Sequence, residues 1–490
     1  MQVLDSSSVV PALPMMQGNL GASPDEINWV GTGYILSTVI VLPMTAWLSQ
    51  RFGRKRYVMA SIFIFTVACT MCGLSNSLGT LVFWRIVEGA GGAALISIGQ
   101  STILEIFPKT QTMLVQAIFT FGIMVAPTLG PAFGGWMVDN YSWNYIFLVK
   151  FPIGLCAAYL VWRYLHDSPH RNLSNAVDWA GIGLLAVGLG SLQYVLEEGQ
   201  RYNWFDDDVI ARLSVLAAVC LTAFVAWELR RANQSPIVEL RVLKDRGLAV
   251  GVCLSSMIGF ALFSTVFLYP MFVQGILHFT PTESGLSLMP GGIVTGIATL
   301  LSGRLMQKGV DARYLILFGL PITAIAMWML GHLTPLSGYD DAQIGLIVRG
   351  FGLGFVSTPT TIAAFAGLRG RQIAAGSALI NLCRQLAGSF GIAILSSYVE
   401  STAADHRTVL VSHLTSGNQD LAARIAGTGA GLSIHGMNPV AAHAAAIALV
   451  DHAVQAQART MAYNDAYILV AVIFICLIPT VFLFRGSKAA

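Results

Sequence analysis

The chain has 490 residues, of which 55% are apolar and 11% charged, against about 25% charged in ordinary soluble domains. A bilayer-spanning helix takes about 20 predominantly apolar residues, so the apolar content suffices for about fourteen. That balance excludes a soluble globular enzyme and a disordered chain, and a net charge of +3 offers no broad basic surface for nucleic acid.

The first apolar segment, 1–20, is barely long enough to span and carries Asp5, Pro11 and Pro14. Either the first helix is short, or the sequence starts inside it and roughly ten apolar residues precede it; the second is the expectation. Further apolar segments follow at about 28–49, 57–74, 78–104, 112–138, 143–165, 178–196, 209–228, 248–270, 284–306, 313–333, 341–367, 376–399 and 463–484. Short polar loops separate most of them, and no ten-residue alternation suggests a β-barrel. The expected fold is all-α, a polytopic membrane protein. No basic stretch followed by a small-residue cleavage site opens the chain, so no removable signal peptide is expected.

All seven cysteines fall in apolar stretches. Cys69 and Cys72 form a C-x-x-C inside the run Tyr57–Leu74, which reads as packing rather than redox or metal chemistry. With a cytoplasmic amino terminus, nineteen Lys and Arg fall on the inner side and five (Arg201, Arg212, Arg407, Arg424 and Arg459) on the outer. This excess matches the positive-inside rule and places both termini in the cytoplasm. One outer loop, about 400–462, is long and rich in Ala, Gly, Ser, His and Gln, and Pro439–Arg459 within it has the composition of a separate extracytoplasmic helix. Such a loop either contacts a partner or forms a loosely ordered cap.

An internal repeat is visible. Leu48–Tyr57 aligns with Leu305–Tyr314, each a basic turn ending the second helix of a half, and Arg85 is echoed by Arg349. Parallel halves around a midplane site mark one large class of transporters.

Charged groups inside membrane helices are costly unless they face a partner or water, which makes them functional candidates. Asp5 leads them, because a carboxylate shut away from water can exchange a proton near neutral pH; the alternative is an interfacial helix-end residue. Arg85 and Glu88 lie three apart on one helix face, as a structural ion pair or as participants in proton transfer or gating. Arg349 occupies the symmetric position, and Arg384 follows Asn381 on one helix, a candidate pair for a cavity or gating role. Lys150 either snorkels outward or pairs structurally, or it projects into the cavity and attracts anionic cargo. Gly130, Pro131, Gly134 and Gly135 allow close helix approach and bending, the makings of a hinge or seal. The glycine runs at 89–92 and 350–354 lack the Gly-Lys-Ser/Thr that cradles phosphate, and no zinc-ligand or nucleophile motif is present. Neither a metal nor a cofactor is expected, and the energy source is an ion gradient.

Taken together, these motifs resemble the major facilitator superfamily, specifically its fourteen-helix drug:proton antiporters. The resemblance rests on Leu4–Pro14, Gly18–Gly21, Trp47–Gly53, Arg85–Gly89, Ala126–Gly135, Asp139–Trp143, Phe151–Gly154, Trp227-Glu228, Pro236–Leu240, Asn381 with Arg384, and Leu386–Ser389. It implies two six-helix bundles, 1–170 and 246–490, with two extra helices in 171–245. It implies export, because the Gly-Pro…Gly-Gly run is associated with exporters. Asp5 then takes the place of the first-helix aspartate of proton coupling, and Arg85 that of the fourth-helix arginine of proton transfer. Arg54 and Glu105 take the place of a cytoplasmic latch, expected as a short salt bridge across the two bundles. Three features depart from the pattern. Ala46 and Gln50 stand where the loop motif has Gly and Asp, Lys150 replaces an uncharged polar residue, and the opening helix is clipped.

The implied function is a proton-coupled antiporter that exports amphipathic drugs or toxic compounds across the bacterial inner membrane by alternating access. A narrow exporter of an anionic metabolite, aromatic acid or siderophore is the alternative, and a transport-dead sensor or scaffold a third. The implied partners are cargo, protons and lipid, with the long outer loop compatible with a periplasmic membrane-fusion adaptor and an outer-membrane channel.

Overall fold

The computed structural model describes residues 1–166, 178–230, 236–368, 371–414 and 419–483. Among them every regular element is helical, and thirteen helices are long and apolar enough to cross a membrane. The chain is a multi-pass membrane protein. The expected boundary at 170–171 lies outside the described residues, as do Arg171, Arg231, Arg369, Arg485 and Lys488 of the basic set and the carboxyl terminus.

The first segment, α1, covers 2–20 in three pieces: helix Gln2–Ser8, a 3-10 turn Val10–Ala12 and helix Leu13–Leu20. Pro11 and Pro14 open the second and third pieces, because proline lacks the N–H that would continue the ladder. Then come α2 (Trp29–Phe52), α3 (Arg54–Gly73), α4 (Leu78–Ile106), α5 (Lys109–Asn140) and α6 (Asn144–Tyr164). Next are α7 (Trp179–Glu198), α8 (Asp208–Leu229), α9 (Arg246–Gly275), α10 (Pro281–Gln307), α11 (Ala312–Leu330) and α12 (Tyr339–Phe365). The chain closes with α13 (Arg371–Ser412), α14 (Gln419–Ile434) and α15 (Pro439–Leu477).

The last three differ from the hydropathy reading. Residues 400–412 are the continuation of α13, and Pro439–Arg459 is the first half of α15 rather than a separate helix. At 42 residues and about 1.5 Å per residue, α13 runs roughly twice the thickness of a bilayer core. Polar His, Gln and Arg end an apolar run without ending a helix, and Ala-rich sequence propagates one well. The two extensions are cross-linked: Arg407 Nη2 donates to Asp451 Oδ1 at 2.7 Å, and His406 Nε2 lies 2.8 Å from Asp465 Oδ2. Helix α14 packs on α15.

Two contacts join the α1–α6 set to the α9–α15 set. Along one side α5 lies against α10, where glycines of α10 meet Ala117, Phe121, Thr128 and Ala132 of α5. On the other side α4 meets α13, and α7 packs against both α2 and α13. A shared apolar cluster there contains Val39 and Leu42 of α2, Leu185 and Leu189 of α7, and Leu379 and Leu382 of α13. The Gln193 amide adds a 2.9 Å bond to Ser389 Oγ. The inserted pair is tied at one end. Asp178 caps α7 by accepting from Gly181 N at 2.8 Å and also accepts from Trp227 Nε1 of α8 at 2.9 Å. Glu228 Oε1 accepts from the amides of Ile237 and Val238 at 3.1 and 3.3 Å, folding the following chain back.

Helix α1 reaches its place through the absence of side chains on α5. A Cβ at Gly130 would stand 1.8 Å from Ser7 Oγ, and one at Gly134 would stand 2.1 Å from the Ser8 carbonyl oxygen. Gly135 turns to the other neighbour, Thr282 of α10. Gly134→Ala is therefore expected to lower stability by about 1–3 kcal/mol in detergent unfolding. Gly122→Ala, on the same helix with nothing within 4 Å of the added carbon, is expected to be neutral or stabilising by up to about 1 kcal/mol.

Candidate functional site

Four ionisable side chains meet between α1, α4 and α6. Asp5 comes from the first turn of α1, Arg85 and Glu88 from successive turns of α4, and Lys150 from the point where α6 resumes after Val149. All four are buried, with Asp5 and Glu88 at 0% exposure and Arg85 and Lys150 at 1%. Asp5 Oδ2 accepts from Arg85 Nη1 at 2.6 Å, and Asp5 Oδ1 accepts from Lys150 Nζ. The same Nη1 donates to Glu88 Oε2 at 2.9 Å, and Arg85 Nε donates to the Val30 carbonyl at 3.0 Å.

Aromatic rings and thiols enclose the charges. The Arg85 guanidinium lies over the Tyr34 ring at 4.2 Å, and Phe147 lies 5.6 Å from it and 5.2 Å from Lys150 Nζ. Cys69 Sγ donates to Glu88 Oε1 at 2.6 Å and Cys72 Sγ to Oε2 at 3.5 Å. The C-x-x-C therefore does more than pack: its spacing aims both thiols at one carboxylate. Asp5, Cys69 and Glu88 also have ligand atoms close enough for a metal ion, but Arg85 and Lys150 already fill the coordination space of those carboxylates. The donor set fits a closed ion-pair network.

Two carboxylates and two cations sum to zero when all are ionised. Protonating either carboxylate leaves one positive charge in excess among buried groups, where an uncompensated charge is costly. Protonated Asp5 would also loosen the ties that hold α1 to α4 and α6. The arrangement can thus convert a proton's arrival into a mechanical release.

Of the readings of Lys150, the structure shows the structural pairing: its ammonium is engaged by Asp5, and it neither snorkels outward nor projects into a cavity toward anionic cargo. The remaining predicted residues lie elsewhere. Arg349 is 2% exposed inside the second set, with Nε and Nη1 unpartnered. Asn381 and Arg384 have separate surroundings: Asn381 Nδ2 donates to Gln100 Oε1 at 2.9 Å, whereas Arg384 is half-buried with its Nε unpartnered.

Arg54 and Glu105 do form an ion pair, but within the first set, between the start of α3 and the end of α4, not across the two halves. Gly53, with φ at 89°, turns the chain so that α3 begins on Arg54. Besides Asn381, the bonds that cross the halves near this end are made by residues the sequence reading passed over. Ser377 Oγ donates to the Ser97 carbonyl at 2.9 Å and to Gln100 Oε1 at 3.0 Å, beside the Asn381 bond. Gln100, an amide deep in an apolar helix, was the available signal. At the opposite end Thr282 Oγ1 donates to Asp139 Oδ2 at 2.6 Å.

The charge balance of the buried four is testable. Asp5→Asn or Lys150→Met alone unbalances it and is expected to cost about 3–5 kcal/mol. The double variant restores neutrality and is expected to unfold in detergent at a higher temperature than either single one.

Comparison with known proteins agrees with this architecture. The sequence pattern of the Major Facilitator Superfamily matches residues 1–392. The chain is 33% identical over 416 residues to the multidrug export protein EmrB of Haemophilus influenzae, covering 84% of this chain and 81% of that one. It is 31% identical over 489 residues to the fatty acid resistance protein FarB of Neisseria gonorrhoeae, covering 99% and 93%. Its fold is similar to that of the human organic anion transporter MFSD10 (TETRAN), with a TM-score of 0.56 over 96% of each chain at 12% identity, a likeness of fold alone.

Proposed function

Because the chain belongs to the major facilitator superfamily, we propose that it is a proton-driven exporter of amphipathic compounds working by alternating access. The observation that carries this reading is the charge-balanced cluster of Asp5, Arg85, Glu88 and Lys150, shut away from water and shared by three helices. A proton reaching Asp5 cancels its charge, weakens its bonds to Arg85 and Lys150 and frees α1 from α4 and α6. Because α1 rests on α5 at Gly130 and Gly134, and α5 faces α10 through Gly135, its movement bears on the contact between the halves. Cargo from the cytoplasm or inner leaflet then displaces the proton as the halves rock back. The proton gradient is the energy source.

The end carrying Arg54 and Glu105 is cytoplasmic in this reading, on the excess of Lys and Arg there. The bonds of Ser377 and Asn381 to α4 hold that side together in the conformation seen. The membrane is the inner membrane of a bacterium, in keeping with the bacterial relatives. The extended hairpin of α13, α14 and α15 lies at the opposite end, where a periplasmic adaptor would dock. Exposed Val409, Ile434, Val440 and Leu449 give it an apolar face.

Inverted vesicles with an imposed proton gradient test the mechanism, with laurate and ethidium as amphipathic anion and cation. Asp5→Asn is expected to reduce cargo-induced alkalinisation at least about tenfold while inserting normally; normal coupling in that variant would reject the assignment. Charged substitutions at Val440 and Leu449 are expected to leave flux in vesicles unchanged while abolishing co-purification with a membrane-fusion adaptor. Retained co-purification would remove the hairpin from the docking role.

A further inference from the structure

The two halves place an arginine at the same point of their fourth helix, Arg85 on α4 and Arg349 on α12, yet treat it differently. Arg85 meets Asp5 of the first helix of its half, and Lys150 of the last holds the same carboxylate. The groups acting on Arg349 come from the corresponding helices, Tyr269 of α9 and Tyr467 of α15. Each side chain is almost completely covered, with Tyr269 at 0%, Tyr467 at 1% and Arg349 at 2% exposure. Arg349 Nε and Nη1 and the Tyr467 hydroxyl are without hydrogen-bond partners, and the Tyr269 hydroxyl has Ser287 beside it. Among the described residues no carboxylate acts on this guanidinium.

A buried cation with no counter-charge is among the most costly arrangements a membrane protein can hold. Here two phenols accompany it, and a phenol can donate a hydrogen bond. The site therefore offers donors from three helices and a positive charge, and lacks an acceptor that is negative. We propose that Arg349, Tyr269 and Tyr467 form a binding site for one monovalent anion, supplied by the carboxylate of a cargo molecule or by chloride. Nε and Nη1 face different edges of the guanidinium, so a carboxylate would accept from one of them through a charge-assisted bond and from the phenols. Chloride would sit among the same donors. Assignment of the anion to cargo rests on the exporter reading; the existence of the site does not.

The test is equilibrium binding to the purified full chain in detergent, so it succeeds or fails independently of proton-driven flux. The protein is exchanged into sodium sulfate and titrated with sodium chloride or sodium acetate at constant ionic strength, with the unfolding midpoint as readout. The wild type is expected to gain stability saturably with at least one of the two. Saturation by chloride alone identifies a halide site, by acetate alone a carboxylate site, and by both a general monoanion site. Arg349→Gln is expected to lose the response and, in sulfate, to unfold no lower than the wild type, because an unpaired charge has been removed. The double variant Tyr269→Phe/Tyr467→Phe keeps the guanidinium and is expected to weaken binding about tenfold or more. A wild type indifferent to both anions, or a response of equal size in Arg349→Gln, would overturn the proposal. Should Arg349→Gln not fold, unchanged anion affinity in the tyrosine double variant would overturn it equally.

Discussion

The bonds from Asp5 to Arg85 and Lys150 are the constraint on which the first half is built. None of the three charges could be buried alone, since each would forfeit its hydration without return. Together with Glu88 they form a neutral set, and neutrality holds only when α1, α4 and α6 stand side by side. Helix α1, interrupted at Val10–Ala12, is held besides by the contact of Ser7 and Ser8 with α5 and by an apolar cluster that takes Val9, Ala12 and Met16. The rings of Tyr34 and Phe147 and the thiols of Cys69 and Cys72 then complete the shell, offering soft or weakly polar surfaces to charges that would otherwise face hydrocarbon.

This electrostatic requirement explains the small-residue run on the neighbouring helix. For Asp5 to reach Arg85, α1 must sink into the groove beside α5 until backbone meets backbone. The Ser7 and Ser8 positions are where a β-carbon on Gly130 or Gly134 would collide. Pro131 and Gly135 on the same stretch look toward α10, with Gly285 and Thr282 as neighbours. One stretch of α5 thus bears on the proton-sensitive helix and on the other half of the molecule. The run read from the sequence as a hinge or seal acquires a direction: what moves α1 presses on the seam between halves.

Much of this was legible from residue types alone. Hydropathy located the spans because the cost of an unsatisfied or charged group in lipid dominates every other local preference. The spacing of Arg85 and Glu88 announced a shared helix face. The partner of Lys150 was not legible, because Asp5 lies 145 positions away and a lysine near a helix bend satisfies the rules for snorkelling equally well. The thiols of Cys69 and Cys72 were read as small hydrophobes, which they are until a carboxylate faces them. Arg54 with Glu105 shows the same limit in milder form: the pair is real, but only the packing of α3 on α4 reveals that it closes within one half. The lengths of α13 and α15 escaped because hydropathy registers where lipid ends, not where a helix does.

The asymmetry between Arg85 and Arg349 makes sense as two solutions to one problem. A guanidinium fixed in the interior of each half supplies a permanent positive charge that must be answered. In the first half the answer is covalently part of the chain, and a proton can cancel it on Asp5 or Glu88. In the second half the chain supplies phenols, which donate hydrogen bonds but bring no negative charge at neutral pH. Whatever answers Arg349 must therefore arrive from outside and be able to leave. Both devices turn a change of one unit of charge into a change in how tightly three helices are held, the first through a proton and the second through an anion. Two halves so wired would respond to different chemical signals while sharing one mechanical output, the packing of their first, fourth and last helices.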